Sequence, residues 1–262
     1  MGGSPLARRT DMCLVVIGWQ QHPDYPLLIA GNRDEFHARP TEHAHWWADQ
    51  PNILGGRDLQ AGGTWLALHR GGRFATVTNF RDAEVASGKF RSRGHLVTDF
   101  LASTDTPENY LATIEGAKYA GFNLLVSDGK ELAWLSNRGD GIRKLPPGVY
   151  GLSNALLDAP WHKVLHAKRA LEVLIRDDRL NETELFRLLG DRQKAPASQV
   201  DSERLPFATA HAISAPFIVL PDYGTRSSSV VLRNNAGDWK FHERRFNANG
   251  EALGDAEFRI DA

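Results

Sequence analysis

Between residues 13 and 31 two apolar runs, CLVVIGWQ and YPLLIAG, are separated only by Gln21-His22-Pro23-Asp24. Runs this short, rich in Val, Ile and Leu and joined by four turn-forming residues, read as an antiparallel β-hairpin. The pattern recurs along the chain. Residues 63–69 and 73–80 alternate around Arg70-Gly71-Gly72, and residues 122–127 and 131–136 flank Asp128-Gly129. Residues 148–154, 216–220, 227–232 and 239–246 read as further strands. Helical spacing is confined to blocks, at 94–102, 107–116, 160–177 and 181–190, with Thr106 as an N-cap and Pro107 as a first helical residue. Residues 39–63 and 191–205 read as loops. Hairpins require antiparallel sheets, and helices gathered between strand blocks imply layers instead of βαβ units. The expected fold is therefore α+β, a four-layer α/β/β/α sandwich of two antiparallel sheets.

The second strand of the first hairpin runs into charge. Residues 30–40, AGNRDEFHARP, carry Asn32, Arg33, Asp34, Glu35, His37 and Arg39. Solubility scatters charge and a turn needs a single Asn or Gly, so a cluster this dense asks for partners. Antiparallel pairing folds it back beside the start of the first strand, which brings residues 32–35 to Cys13. In a regular strand Asn32 and Asp34 would face Cys13 together while Arg33 and Glu35 point away; a bulge would bring Arg33 round.

Composition removes several classes of function. With 31 basic and 32 acidic residues the formal charge is -1, so no nucleic-acid partner is expected. One cysteine, Cys13, excludes a disulfide framework and a zinc site built mainly from thiolates. The apolar run Cys13–Trp19 falls far short of the roughly 20 residues of a membrane-spanning helix, and no membrane span is expected. Residues 1–11 lack a secretory apolar region and read as a leader, tag or mis-called start ahead of Met12, leaving 12–262 as one domain. The expected compartment is the cytoplasm. His43-Ala-His45 would aim two imidazoles one way, but without an accompanying ligand pattern no metal is expected.

A lone cysteine in an apolar run is commonly a small core residue. Its place directly after Met12 gives a second reading. Removal of the methionine would expose a free α-amine on the residue that carries the thiol, placing nucleophile and base together. Arg33 beside the thiol would lower its pKa, and an acidic neighbour would orient the ammonium.

Met12-Cys13, Asn32-Arg33-Asp34-Glu35-Phe36, Arg39-Pro40-Thr41, Gly62-Gly63-Thr64-Trp65 and Gly224-Thr225-Arg226-Ser227-Ser228 together resemble the family named for its NRDE tetrapeptide, known in animals as the transport and Golgi organisation protein 2 family. The resemblance spans residues 12–260 and implies the N-terminal-nucleophile hydrolase fold. More distantly the chain is similar to choloylglycine hydrolases and penicillin V acylases. That similarity implies a site of Cys13, Arg33 with Asp34, Asn79, Asn154 and Arg226, in which Asn79 and Asn154 help to form an oxyanion hole. The acylases carry Arg-Asn-x-Asp where this chain carries Asn-Arg-Asp-Glu, so the pair that serves the thiol is left open. Two functions follow as expectations. One is a cysteine amidase acting on non-peptide carbon–nitrogen bonds of a small-molecule amide through a thioester, with no cofactor required. The other is a non-catalytic carrier of haem or an acyl ligand, with Cys13 as an axial thiolate.

Overall fold

A computed structural model describes residues 13–81, 90–203 and 205–262. The expected leader and Met12 lie outside the described residues. Strand β1 (Cys13–Trp19) pairs antiparallel with β2 (Leu27–Phe36), as the first hairpin requires. The remaining strands are β3 (Thr41–Trp46), β4 (Ile53–Asp58), β5 (Leu66–His69), β6 (Arg73–Asn79), β7 (Phe122–Ser127), β8 (Leu132–Ser136), β9 (Arg143–Lys144), β10 (Gly148–Leu152), β11 (Tyr223–Arg233), β12 (Trp239–Phe246) and β13 (Ala252–Ile260). They form a six-stranded sheet ordered β10-β1-β2-β11-β12-β13 and a seven-stranded sheet ordered β3 to β9.

Alternation along the strands assigns the layers. Val15, Ile17, Ile29, Val231 and Phe241 of the first sheet pack against Leu54, Leu68, Phe74, Leu125 and Trp134 of the second. The intervening residues Leu14, Val16, Leu28 and Val230 face outward. They meet Val164, Leu171, Leu185 and Leu189 of helices α3 (His162–Arg176) and α4 (Glu182–Leu189). Across the second sheet, Val77, Leu124 and Val126 meet Leu96, Phe100 and Tyr110 of α1 (Gly94–Ala102) and α2 (Pro107–Ala112). Each such aliphatic or aromatic side chain contributes about 1.5–3 kcal/mol by leaving water. The result is the four-layer α/β/β/α order expected from the hairpins. Among the described residues no helix is long and apolar enough to cross a membrane.

Several local expectations fail for physical reasons. Residues 39–63 hold two strands, β3 and β4, not a loop. Strand β3 is a sheet edge with exposed polar residues on it, and β4 carries Gly55-Gly56, because a Cβ at Gly55 would stand 2.7 Å from the Leu66 carbonyl oxygen. Both features erase the usual strand signature. Residues 216–220 form no strand, only an isolated bridge between Val219 and Gly224. Strand β13 and the short helix α5 (Phe207–Ala212) carry no clear periodic signal and emerge only in the structure. In α3 the buried stripe is Lys163, Val164, Ala167, Leu171 and Leu174, and Leu165 is exposed.

Gly63 brings two segments together beside the candidate site. A Cβ there would lie 2.5 Å from the Gly94 carbonyl carbon, so the backbone at the start of α1 rests directly on it. Gly63→Ala is expected to cost about 1–3 kcal/mol by forcing these backbones apart, read as a lowered midpoint in urea denaturation. An unchanged midpoint would show that the approach is not tight.

Candidate active site

The register Cys13↔Arg33 decides which residues meet. Directly opposed residues of an antiparallel pair present their side chains to the same face, so Arg33 and Glu35 share the face of Cys13, and Asn32 and Asp34 occupy the other. The simple alternation expected from the sequence is thus reversed, and no bulge in β2 is needed to achieve it. The face of β2 towards the second sheet passes from Leu27 and Ile29 through Gly31 to Arg33 and Glu35. At Gly31 a Cβ would stand 3.1 Å from the Trp65 ring, and Trp65 marks where the apolar inter-sheet core gives way to a polar cleft.

This cleft, about 590 Å³, opens between the sheets and is lined among others by Arg33, Glu35, Asn79, Arg226, Glu243 and Arg245. Arg33 is 8% exposed. Its Nη2 donates to Glu35 Oε2 at 3.4 Å, whereas its buried Nη1 has no hydrogen-bond partner among the described residues. Arg226 is the extra residue where β11 slips against β2 between Thr225 and Ser227. Its Nη1 donates to the carbonyls of Phe36, His37 and Arg39 at 2.9–3.2 Å, so it fixes the turn that leaves β2. Glu243 on β12 accepts from the Ala44 backbone N–H at 2.7 Å and thereby links the two sheets; burial pushes its carboxyl up.

Cys13 is buried and its main chain is held from both sides. Its backbone nitrogen donates to Asn154 Oδ1 at 3.0 Å, and its carbonyl accepts from Ser153 Oγ at 2.6 Å. The Asn154 amide nitrogen donates to the Asn79 carbonyl at 2.8 Å. The structure therefore gathers Cys13, Asn79 and Asn154, with Arg33 opposite. In this arrangement Asn154 holds the Cys13 nitrogen and the end of β6. Thiol chemistry departs from expectation. Burial, followed by the charge of Asp34, pushes the thiol up to about 12, and the opposing pull of the Asp34 backbone N–H and Arg33 is smaller.

Asp34 lies beneath the sheet, on the helix side. Its Oδ1 accepts from Thr225 Oγ1 at 2.6 Å, and its Oδ2 is 4.0 Å from Nζ of Lys163 in the first turn of α3. Both side chains are almost fully buried. Burial drives each towards its neutral form, the carboxyl up and the ammonium down, against their mutual attraction. Asn32 on the same face accepts from Ser228 Oγ and donates to the carbonyls of Leu189 and Pro216, a purely structural set of bonds. Sequence reasoning missed Lys163, Ser153 and Glu243. A signal for Lys163 existed, since it stands four residues before Ala167 on the apolar face of α3.

Comparison with known proteins follows the same lines. The family model for Transport and Golgi organisation 2 matches residues 12–248. The chain belongs to this family. A curated member, Transport and Golgi organization protein 2 homolog of Homo sapiens, is 34% identical over 259 residues, covering 89% of this chain and 92% of that protein. The homolog from Bos taurus is likewise 34% identical over 258 residues, with the same shares covered. A mutant of the conjugated bile acid hydrolase from Clostridium perfringens superposes with a TM-score of 0.53 at 10% identity, over 95% of this chain and 92% of the other. At that identity the likeness is one of fold. The sandwich of this family member is thus an N-terminal-nucleophile hydrolase fold.

Two outcomes follow from the buried groups. At pH 8 iodoacetamide should label Cys13 of the full chain roughly a thousandfold more slowly than an unburied cysteine, in line with the shift from 9.0 to about 12; labelling at the rate of glutathione would refute the burial of the thiol. Because the folded state holds Asp34 above its unfolded value, the unfolded chain releases that proton first as pH rises from the ordinary carboxylate range. This residue's contribution to stability therefore falls towards neutrality. Urea midpoints across that window should fall more for the wild type than for Asp34→Asn, and parallel curves would exclude a raised Asp34.

Proposed function

We propose that this family member is a cysteine hydrolase of amide bonds, active in the form whose first residue is Cys13. The observation that carries the reading is the 3.0 Å contact from the Cys13 nitrogen to Asn154 Oδ1. Asn154, bonded to the backbone of the cleft residue Asn79, already holds that nitrogen, and it would hold an α-amine in the same place. In the intact chain the nitrogen is an amide that cannot accept a proton.

With a free amine the steps balance. The amine takes the thiol proton, and the sulfur attacks the carbonyl carbon of the substrate. The tetrahedral oxyanion collapses as the ammonium returns its proton to the leaving nitrogen, leaving a thioester and a released amine. Water, deprotonated by the amine, then attacks the thioester to give the free acid and the thiol. Asn79, at the cleft wall, is the side chain to which this reading gives the oxyanion, a contribution of about 2.7–4 kcal/mol for one preorganised donor. Arg33, with Nη1 lacking a hydrogen-bond partner among the described residues, selects substrates that carry an anionic group.

A second reading is favoured by the same thiol: a buried, protonated Cys13 suits a carrier that binds an anionic acyl ligand, or the propionates of haem, against the cleft arginines without turnover. The test uses residues 13–262 and the full chain against N-acyl amino acids and their neutral N-acyl amine counterparts. Turnover with an acyl-enzyme mass adduct is expected only for the chain that begins at Cys13. It should vanish in Cys13→Ala and be poorest on the neutral amides. Absence of both adduct and turnover in the Cys13-initiated chain would eliminate the hydrolase. A Soret band on haem titration of that inactive protein would then favour the carrier.

A further inference from the structure

On the opposite face of β12 from Glu243 and Arg245, His242 is 6% exposed and meets carboxylates on both ring nitrogens. Nδ1 lies 2.7 Å from Glu182 Oε2 and 3.8 Å from Glu257 Oε1, while Nε2 lies 3.1 Å from Asp255 Oδ2. A neutral imidazole carries one N–H. With Nε2 held by Asp255, Nδ1 faces two carboxylate oxygens, so the position between them takes either a second ring proton or a bound cation.

We propose that His242 Nδ1, Glu182 Oε2 and Glu257 Oε1 form a binding site for a divalent transition-metal ion, zinc foremost, where α4 meets the β12–β13 edge. The three atoms lie within 4.8 Å of one another. One imidazole nitrogen and two carboxylate oxygens are a zinc donor set that leaves a fourth position for water. The scaffold is firm. His242 and Glu257 are directly opposed in the β12–β13 register and so project from the same face. Glu182 is the first residue of α4. The Phe186 ring stands edge-on to the imidazole with centroids 4.6 Å apart and fixes its plane.

The supporting shell is filled as such a site requires. Asp255 orients Nε2 and is itself held by Arg244 through two bonds of 2.8–2.9 Å. Lys240 bonds Glu182 Oε1 and leaves Oε2 to the site. A carboxylate behind the ligating histidine fixes the tautomer and raises ligand basicity. Glu257 is 57% exposed and provides the way in from solvent. Zinc would replace the proton on Nδ1 and tie α4 to the sheet edge, independently of Cys13 and of the hydrolase reading.

The experiment is calorimetric titration of zinc chloride into the chelator-treated full chain, with thermal melting in parallel. One equivalent is expected to bind and to raise the melting temperature with ion concentration. Glu257→Gln, a change at an exposed side chain that leaves the fold intact, should weaken binding by about tenfold or more, and Asp255→Asn by about 10- to 100-fold. His242→Ala should abolish it. If His242→Ala does not fold, Glu257→Gln still decides. No saturable heat in the wild type, or wild-type affinity in Glu257→Gln, would overturn the site.

Discussion

The antiparallel pairing of β1 with β2 in the register Cys13↔Arg33 is the constraint on which the rest depends. It sets the apolar residues of both strands alternately towards the second sheet and towards the α3–α4 layer, so a slip by one residue would turn both cores inside out. The same register sends Arg33 and Glu35 into the inter-sheet cleft and Asn32 and Asp34 into the helix layer. A single tetrapeptide thereby serves two compartments. Its odd members line a solvent-reaching cavity, and its even members anchor a helix layer through Ser228, Thr225 and Lys163.

The layered architecture was legible because its cues are local. Hairpins announce themselves through turn residues such as Asp128-Gly129, and the N-cap Thr106 receives the Asn109 N–H as its position suggests. The convergence of Cys13, Arg33, Asn79 and Asn154 was also legible, through strand order together with family resemblance. What remained hidden depends on non-local facts. The facing of Asp34 depends on pairing register, which alternation along one strand does not define. The elevated thiol depends on how deeply Cys13 is covered, which its neighbours in the sequence do not reveal. Strand β4 escaped because its glycines answer to β5 packed against them, and Lys163 because a lysine on an apolar stripe is usually taken for one whose stem lies along the surface.

Buried charge at this end of the sandwich is offset by structure more than by direct pairing. Asp34 and Lys163 stand 4.0 Å apart with little hydrogen bonding between them, and Asp34 leans instead on the Thr225 hydroxyl. Glu243 leans on a backbone N–H of the other sheet. Isolated buried ions would cost several kcal/mol each, and such arrangements persist where neighbouring elements over-determine them. Here the anchors are the bulge at Arg226, the double hold on the Cys13 main chain and the close glycine contact at Gly63.

Strand β13 closes the six-stranded sheet as a nine-residue edge with little to cover it. An edge of that length is an invitation to a second chain. It is spoiled as a template by Asp255, Glu257 and Arg259 on the exposed positions, by Gly254 at φ +141°, and by the slip in register at Arg245/Phe246. Loss of the Arg259 charge would therefore show itself less in the folding equilibrium than in solubility, as strand-to-strand association at high concentration.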